Sequence, residues 1–172
     1  DRYYLVPHFE KMLYDNALLI LAYCKAYEFT GQSFYLGVAQ KTASYLLNEM
    51  TSQNGGFYSA QDADSDGEEG KYYVFTPEEI IGLLGQADGA AFCERFGIAK
   101  AGNFEGKSIP NLLHAKDLTD ERFDPFLPAL REYRRGRTHL HTDDKILTAW
   151  NALMIAALCR LYRCSQDPKY LE

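Results

Sequence analysis

Two stretches of this sequence echo each other, and that echo limits the folds open to the chain more than any other feature. Asn16-Ala17-Leu18-Leu19-Ile20-Leu21-Ala22-Tyr23-Cys24-Lys25-Ala26-Tyr27 aligns with Asn151-Ala152-Leu153-Met154-Ile155-Ala156-Ala157-Leu158-Cys159-Arg160-Leu161-Tyr162. Just upstream, Glu10-Lys11-Met12-Leu13 matches Asp144-Lys145-Ile146-Leu147 after a one-residue shift. Shared Ala and Leu follow from composition alone, whereas the matched Asn, Cys and acid–Lys positions do not. Self-similarity of this kind marks stacked helical hairpins that bury a common core.

The first copy reads as a helix from Phe9 to Thr30, apolar on nearly every face and stopped by Gly31. An amphipathic helix follows from Ser33 to Met50, with Phe34, Val38, Leu46 and Met50 on one stripe. The second copy is expected to open at Asp143-Asp144 and run from Lys145 to Arg163, with Tyr170, the match of Tyr35, beginning another exposed helix. Between the copies, Phe57–Ala60 and Lys71–Phe75 flank an acidic turn and read as the arms of a small β-hairpin. Thr76-Pro77-Glu78-Glu79 is a strong helix start, leading to a helix to about Leu84, another from about Ala87 to Phe96, and a third from about Pro125 to Arg135 with Pro128 in its first turn. The expected fold is mainly α: helical hairpins forming part of an (α/α) toroid, with inner apolar helices, outer amphipathic ones, and a small β-hairpin near residues 57–75. A chain of 172 residues is one partial toroid domain, 1–172, supplying only part of the ring.

No run of about 18 apolar residues is present, so no membrane-spanning helix is expected. The net charge of −6 argues against a nucleic-acid partner. Arg131, Arg134, Arg135 and Arg137 form the one basic cluster and are expected to be a solvated helix end. The cysteines Cys24, Cys93, Cys159 and Cys164 form no C-x-x-C pair, and Cys24 and Cys159 sit in apolar helical runs as small core residues. Reduced thiols favour a cytoplasmic location. Asp1-Arg2-Tyr3-Tyr4 is neither a signal peptide nor an initiator sequence, which suggests a segment cut from a longer protein. Inner helices without neighbours imply self-association through the truncated face.

Chemistry gathers at the starts of the two apolar helices. The first start carries His8, Glu10, Tyr14 and Asp15; the second carries His139, His141, Asp143 and Trp150. If the inner helices run parallel, these ends converge on one mouth of the ring, where a His with a carboxylate can transfer protons. Capping of the helix ends explains the acids equally well. His8, Glu10, His141 and Asp143 are the catalytic candidates. Tyr14, Asp15, Asp62, Asp64 and Trp150 are the substrate-binding candidates. Asp62-Ala63-Asp64-Ser65-Asp66-Gly67 begins like a calcium loop but has Tyr73 in place of the closing Glu, so a turn is the better reading. Asn103-Phe104-Glu105-Gly106-Lys107 is a binding loop or a plain turn. No metal or cofactor is expected.

The runs VPHFEKMLYDNALL (6–19), GGFYSAQDADSDGEEGKYYVFTPEEI (55–80), GNFEGKSI (102–109) and DDKILTAWNALMIAAL (143–158) resemble the signatures of the spermatogenesis-associated protein 20 family. That resemblance implies an N-terminal thioredoxin-like domain, absent from this chain, followed by an (α/α) toroid similar to N-acylglucosamine 2-epimerases and six-hairpin glycosidases. By fold analogy it implies a carbohydrate ligand and an epimerase- or hydrolase-like reaction, with His8 and His141 as the acid–base pair. The alternative is a non-catalytic scaffold serving the thioredoxin-like domain or a protein partner.

Overall fold

A computed structural model describes residues 1–171. In chain order the elements are strand β1 (Lys11–Met12), helices α1 (Leu13–Thr30) and α2 (Ser33–Glu49), strands β2 (Ala60–Gln61), β3 (Asp64–Ser65) and β4 (Glu68–Glu69), helices α3 (Pro77–Leu84), α4 (Gln86–Arg95) and α5 (Leu127–Arg137), strand β5 (Thr142–Asp143) and helix α6 (Thr148–Ser165). The fold is mainly helical with a small antiparallel hairpin. It comprises two compact units: a repeat unit made of Glu10–Asp62 and the segment from His141 onward, and an inserted unit made of Asp1–Phe9 and Ala63–Leu140.

In the repeat unit the two echoing segments become α1 and α6, each 18 residues long. They start at matched positions, Leu13 and Thr148, and end at matched positions, Thr30 and Ser165. Both then close on a left-handed residue, Gly31 at φ 69° and Gln166 at φ 56°. That geometry returns the chain and lets the cap N–H reach the last-turn carbonyls, of Tyr27 and of Tyr162. Leu13, Ala17, Ile20 and Cys24 of α1 pack with Ala39, Ala43, Leu46 and Met50 around α2, and with Met154, Ala157 and Leu161 of α6. Each fully buried Leu or Ile in such a core contributes about 1.5–3 kcal/mol.

Both helices start later than the sequence suggests, at Leu13 rather than Phe9 and at Thr148 rather than Lys145. Residues just before them are drawn into extended pairing, which competes with the helix for the same backbone N–H and C=O groups. The buried stripe of α2 runs through Ala39, Ala43, Leu46 and Met50, leaving Phe34 and Val38 half-buried. Tyr170 opens no exposed helix: it is buried in a short 3-10 turn, Pro168–Tyr170. Cys24 lies in the core, where burial first of all pushes its thiol up to about 12, but its repeat-mate Cys159 is exposed.

The inserted unit is built differently. Its hairpin joins β3 to β4 through Asp66 and Gly67, both left-handed at φ 53° and 80°, the conformations a tight hairpin turn demands. The hairpin therefore lies within residues 57–75, but the aromatic segments first taken as its arms pair elsewhere: Phe57 bridges to Thr51, and Phe75 bridges to Ser108. Asp66 accepts a hydrogen bond from the Thr138 hydroxyl at 2.6 Å. Segment 103–107 is likewise a turn, closed between Phe104 and Lys107, with Asn103 bonded to both backbone groups of Ile109.

Helix α3 begins with a complete capping box: the Glu79 amide donates to Thr76 Oγ1 and the Thr76 amide to the Glu79 carboxylate. The same carboxylate receives the Tyr133 hydroxyl and the Arg137 guanidinium from α5, each at 2.9 Å. Arg137 also donates to the carbonyls of Lys71 and Tyr72, and Arg134 lies 4.5 Å over the Tyr72 ring. Half of the basic cluster is thus an internal clamp and not a solvated helix end; Arg131 and Arg135 alone match that expectation. Two apolar clusters fill the unit, one around Phe75, Ile80, Phe92 and Phe123 and one around Phe9, Ala63, Val74 and Ile109.

Candidate functional site

Three strands from distant parts of the chain meet at the N-terminal ends of α1 and α6. Strand β2 pairs antiparallel with β1 on one side, Lys11 opposite Gln61, and with β5 on the other, Gln61 opposite Thr142. Beyond the strands, the Leu13 amide donates to the Ser59 carbonyl at 2.9 Å and the Asp62 amide to the His141 carbonyl at 2.9 Å. Carrying both registers one residue further sets Glu10, Asp62 and His141 in a single transverse row. Residues directly opposite in an antiparallel pair point to the same face, with Cβ atoms about 4.5–5.5 Å apart.

Period-two alternation then divides the sheet into two faces. Gln61, in the middle of the Lys11–Gln61–Thr142 row, is buried; Tyr45 donates its hydroxyl to Gln61 Oε1 at 2.6 Å, and Gln61 donates to the Glu49 carbonyl of α2 at 3.4 Å. That row faces α2. The opposite face carries Glu10, Asp62 and His141, all exposed, and half-buried Asp143 two residues along β5. Sequence patterning passes over Gln61 and Tyr45, because a lone Gln and Tyr carry no motif; their role follows only from the register.

Asp143 is not free to exchange protons. Its carboxylate takes the Lys145 ammonium at 2.7 Å and the Lys145 amide at 3.3 Å, and the Lys145 side chain foremost holds it below the usual carboxylate range. Its backbone carbonyl receives both the amide and the hydroxyl of Ser59 at 3.2 Å. Asp143 thus pins β5 as a fixed anion. Asp15 is exposed in the first turn of α1, and Tyr14 meets Trp150 across the starts of α1 and α6, ring centroids 4.8 Å apart. Asn151 Oδ1 accepts from the Phe57 amide at 2.7 Å while its Nδ2 donates to the Phe57 carbonyl at 3.0 Å. The strand carrying Asp62 is thereby tied to α6.

The remaining candidates belong to the inserted unit. His8 is exposed beside Phe9, whose buried ring stacks on Tyr73 at 5.9 Å and meets Phe104 edge-on. Asp64 lies in β3, opposite Glu69. Each unit also holds a recess without a sequence signature. In the repeat unit, a groove of about 510 Å³ between α1 and α6 is lined by Leu21, Lys25, Ala156, Cys159, Arg160 and Arg163. In the inserted unit, a cavity of about 460 Å³ includes Arg95, Asn111, His114, Lys116 and Phe123. Among the described residues, no group of three or more His, Cys, Asp or Glu side chains is arranged to hold a metal ion, and no helix is long and apolar enough to cross a membrane.

No family model matches the chain. Curated relatives do. Spermatogenesis-associated protein 20 of Homo sapiens is 34% identical over 91% of this chain, that of Mus musculus 33% and that of Rattus norvegicus 32% over the same share. The chain belongs to the spermatogenesis-associated protein 20 family. It spans 24% of the length of each of these relatives.

Proposed function

We propose that the repeat unit supplies one wall of a carbohydrate site, with Asp62 and His141 as its proton-transfer pair. The observation that carries this reading is the three-stranded register, which sets Glu10, Asp62 and His141 side by side on one exposed face. A carboxylate next to an imidazole fixes its tautomer and favours the protonated ring, so His141 can take a proton and return it. Glu10 supplies a second carboxylate for sugar hydroxyls. The Tyr14–Trp150 pair, with Asp15 beside it, offers an aromatic surface on which a pyranose ring stacks. In an (α/α) toroid this face lies at the mouth of the ring, and the chemistry is epimerase- or glycosidase-like. Asp143, locked by Lys145, positions rather than reacts, and His8 and Asp64 stay outside the proposal.

The test is calorimetric titration of monosaccharides and disaccharides into the full-length protein, repeated with Asp62→Asn and His141→Gln. Binding that is lost in both variants, with an unchanged circular dichroism spectrum, supports the site and opens turnover assays. Absence of sugar binding, or binding indifferent to both substitutions, transfers the weight to a scaffold that engages a protein partner. The exposed apolar residues of α1 and α6 favour that second reading.

A further inference from the structure

The two repeat helices bury opposite faces. On α1 the buried positions are Leu13, Ala17, Ile20 and Cys24; their matches on α6, Thr148, Ala152, Ile155 and Cys159, are all exposed, Ile155 at 61%. On α6 the buried positions are Met154, Ala157 and Leu161; of their matches on α1, Leu19 is 48% exposed, Ala22 exposed and Ala26 half-buried. Leu18 at 49% and Phe29 at 78% widen the open face of α1. The contact inside the chain is therefore heterologous. It joins the Cys24 side of α1 to the Leu161 side of α6, with Arg160 bonded to Glu28 and the Cys164 sulfur 4.0 Å from the Cys24 carbonyl. Each helix leaves uncovered the face that its twin uses.

We infer that the chain self-associates head to tail, the open face of α1 in one copy covering the open face of α6 in the next. The internal contact is the template: α6 takes the part of α1, and α1 of the second copy takes the part of α6. Residue equivalence then sets the register. Ile155 occupies the place of Ile20, and Leu19 of the second copy the place of Met154. Phe29 falls where Cys164 stands and so meets Cys159. One substitution in the template is unfavourable: Glu28 becomes Arg163 and Arg160 becomes Lys25, so an ion pair turns into two facing cations. Apolar burial drives the association, and salt strengthens it by screening that pair. A heterologous contact continues until it closes or is capped, so species larger than a dimer form.

Sedimentation velocity on the 172-residue chain tests this inference, which is independent of any sugar site. Wild type is expected to form concentration-dependent oligomers that grow as salt rises from about 0.05 to about 0.5 M. Leu19→Asp and Ile155→Asp, both at exposed positions, should each be monomeric alone with unchanged helical content. Their equimolar mixture should give a dimer and nothing larger, because each variant retains the face that the other has lost. Oxidised Phe29→Cys should link position 29 of one copy to Cys159 of another, as read by peptide mass spectrometry. A monomeric wild type, a single variant that still associates, or a mixture that stays monomeric would overturn the inference.

Discussion

Helices α1 and α6 have the same length, matched starts, matched ends and the same left-handed cap, yet they sit in opposite surroundings. Ile20 is fully buried and Ile155 mostly exposed; Cys24 is in the core and Cys159 in solvent. Composition specifies the helix in both cases, but the face that is buried depends on which neighbours are present. α1 has α2 on one flank and α6 on the other; α6 has α1 and only a short 3-10 turn where α2 has its counterpart. The same apolar residue is therefore a core residue in one copy and a docking residue in the other.

The sharpest way to break this comparison is a paired truncation. Ile20→Ala should cost about 3–4 kcal/mol, the range for emptying a closed core site, while Ile155→Ala should change stability by less than about 0.5 kcal/mol. Urea unfolding at concentrations where the chain is monomeric reads both. Equal losses would mean that the two faces are not distinguished as described.

The paired asparagines should separate by a smaller margin. Asn16 and Asn151 each donate to the carbonyl four residues back, of Met12 and of Leu147, but Asn151 alone also holds both backbone groups of Phe57. Asn151→Ala is expected to cost about 2 kcal/mol because a part-buried amide and carbonyl lose their partner, and Asn16→Ala below about 1. Faster amide exchange at Phe57 in the first variant, and not in the second, would locate the difference.

The caps differ less again. Gly31 adopts its positive φ without strain, whereas Gln166 carries a side chain in the same conformation. Gln166→Gly should raise stability, and Gly31→Ala lower it, each by about 1 kcal/mol, visible as opposite shifts in Tm.

A pH titration gives the smallest effect and separates the repeat core from the inserted unit. Burial alone would raise the Glu79 carboxyl, but the Thr76 amide, Arg137 and Tyr133 together bring it below its ordinary 4.5. Its contribution is thus complete above that pH and is lost as pH falls through the lower folded value. Acidification should loosen the α3–α5 clamp in wild type, and Glu79→Gln should flatten that part of the curve.

Local signals proved legible to the residue. Helix α3 runs from Pro77 to Leu84 because Thr76, Pro77 and Glu79 together write a capping box, and Pro128 falls in the first turn of α5 as its ring requires. The starts of α1 and α6 were misread for one reason, that their flanking residues pair with β2, a partner far away in sequence. The same long-range pairing hides most of the candidate site. His and acids at two helix starts are visible in the sequence, but the alignment of Asp62 with Glu10 and His141, and the anchoring of Gln61 on α2, exist only once the register is set. The locking of Asp143 by Lys145, two residues away, was within reach of a local reading that looked for an Asx turn.

The order of the chain also has a consequence during synthesis. α1 and α2 emerge together, but α6, which completes their core, follows only after residues 63–140 have been made. At ordinary elongation rates of 5–20 residues per second that interval is roughly 4–16 s. Throughout it Ile20 and Cys24 have α2 as their neighbour but lack α6, so the nascent hairpin is a natural client for holding chaperones, and slowing translation between β2 and α6 should lengthen its capture.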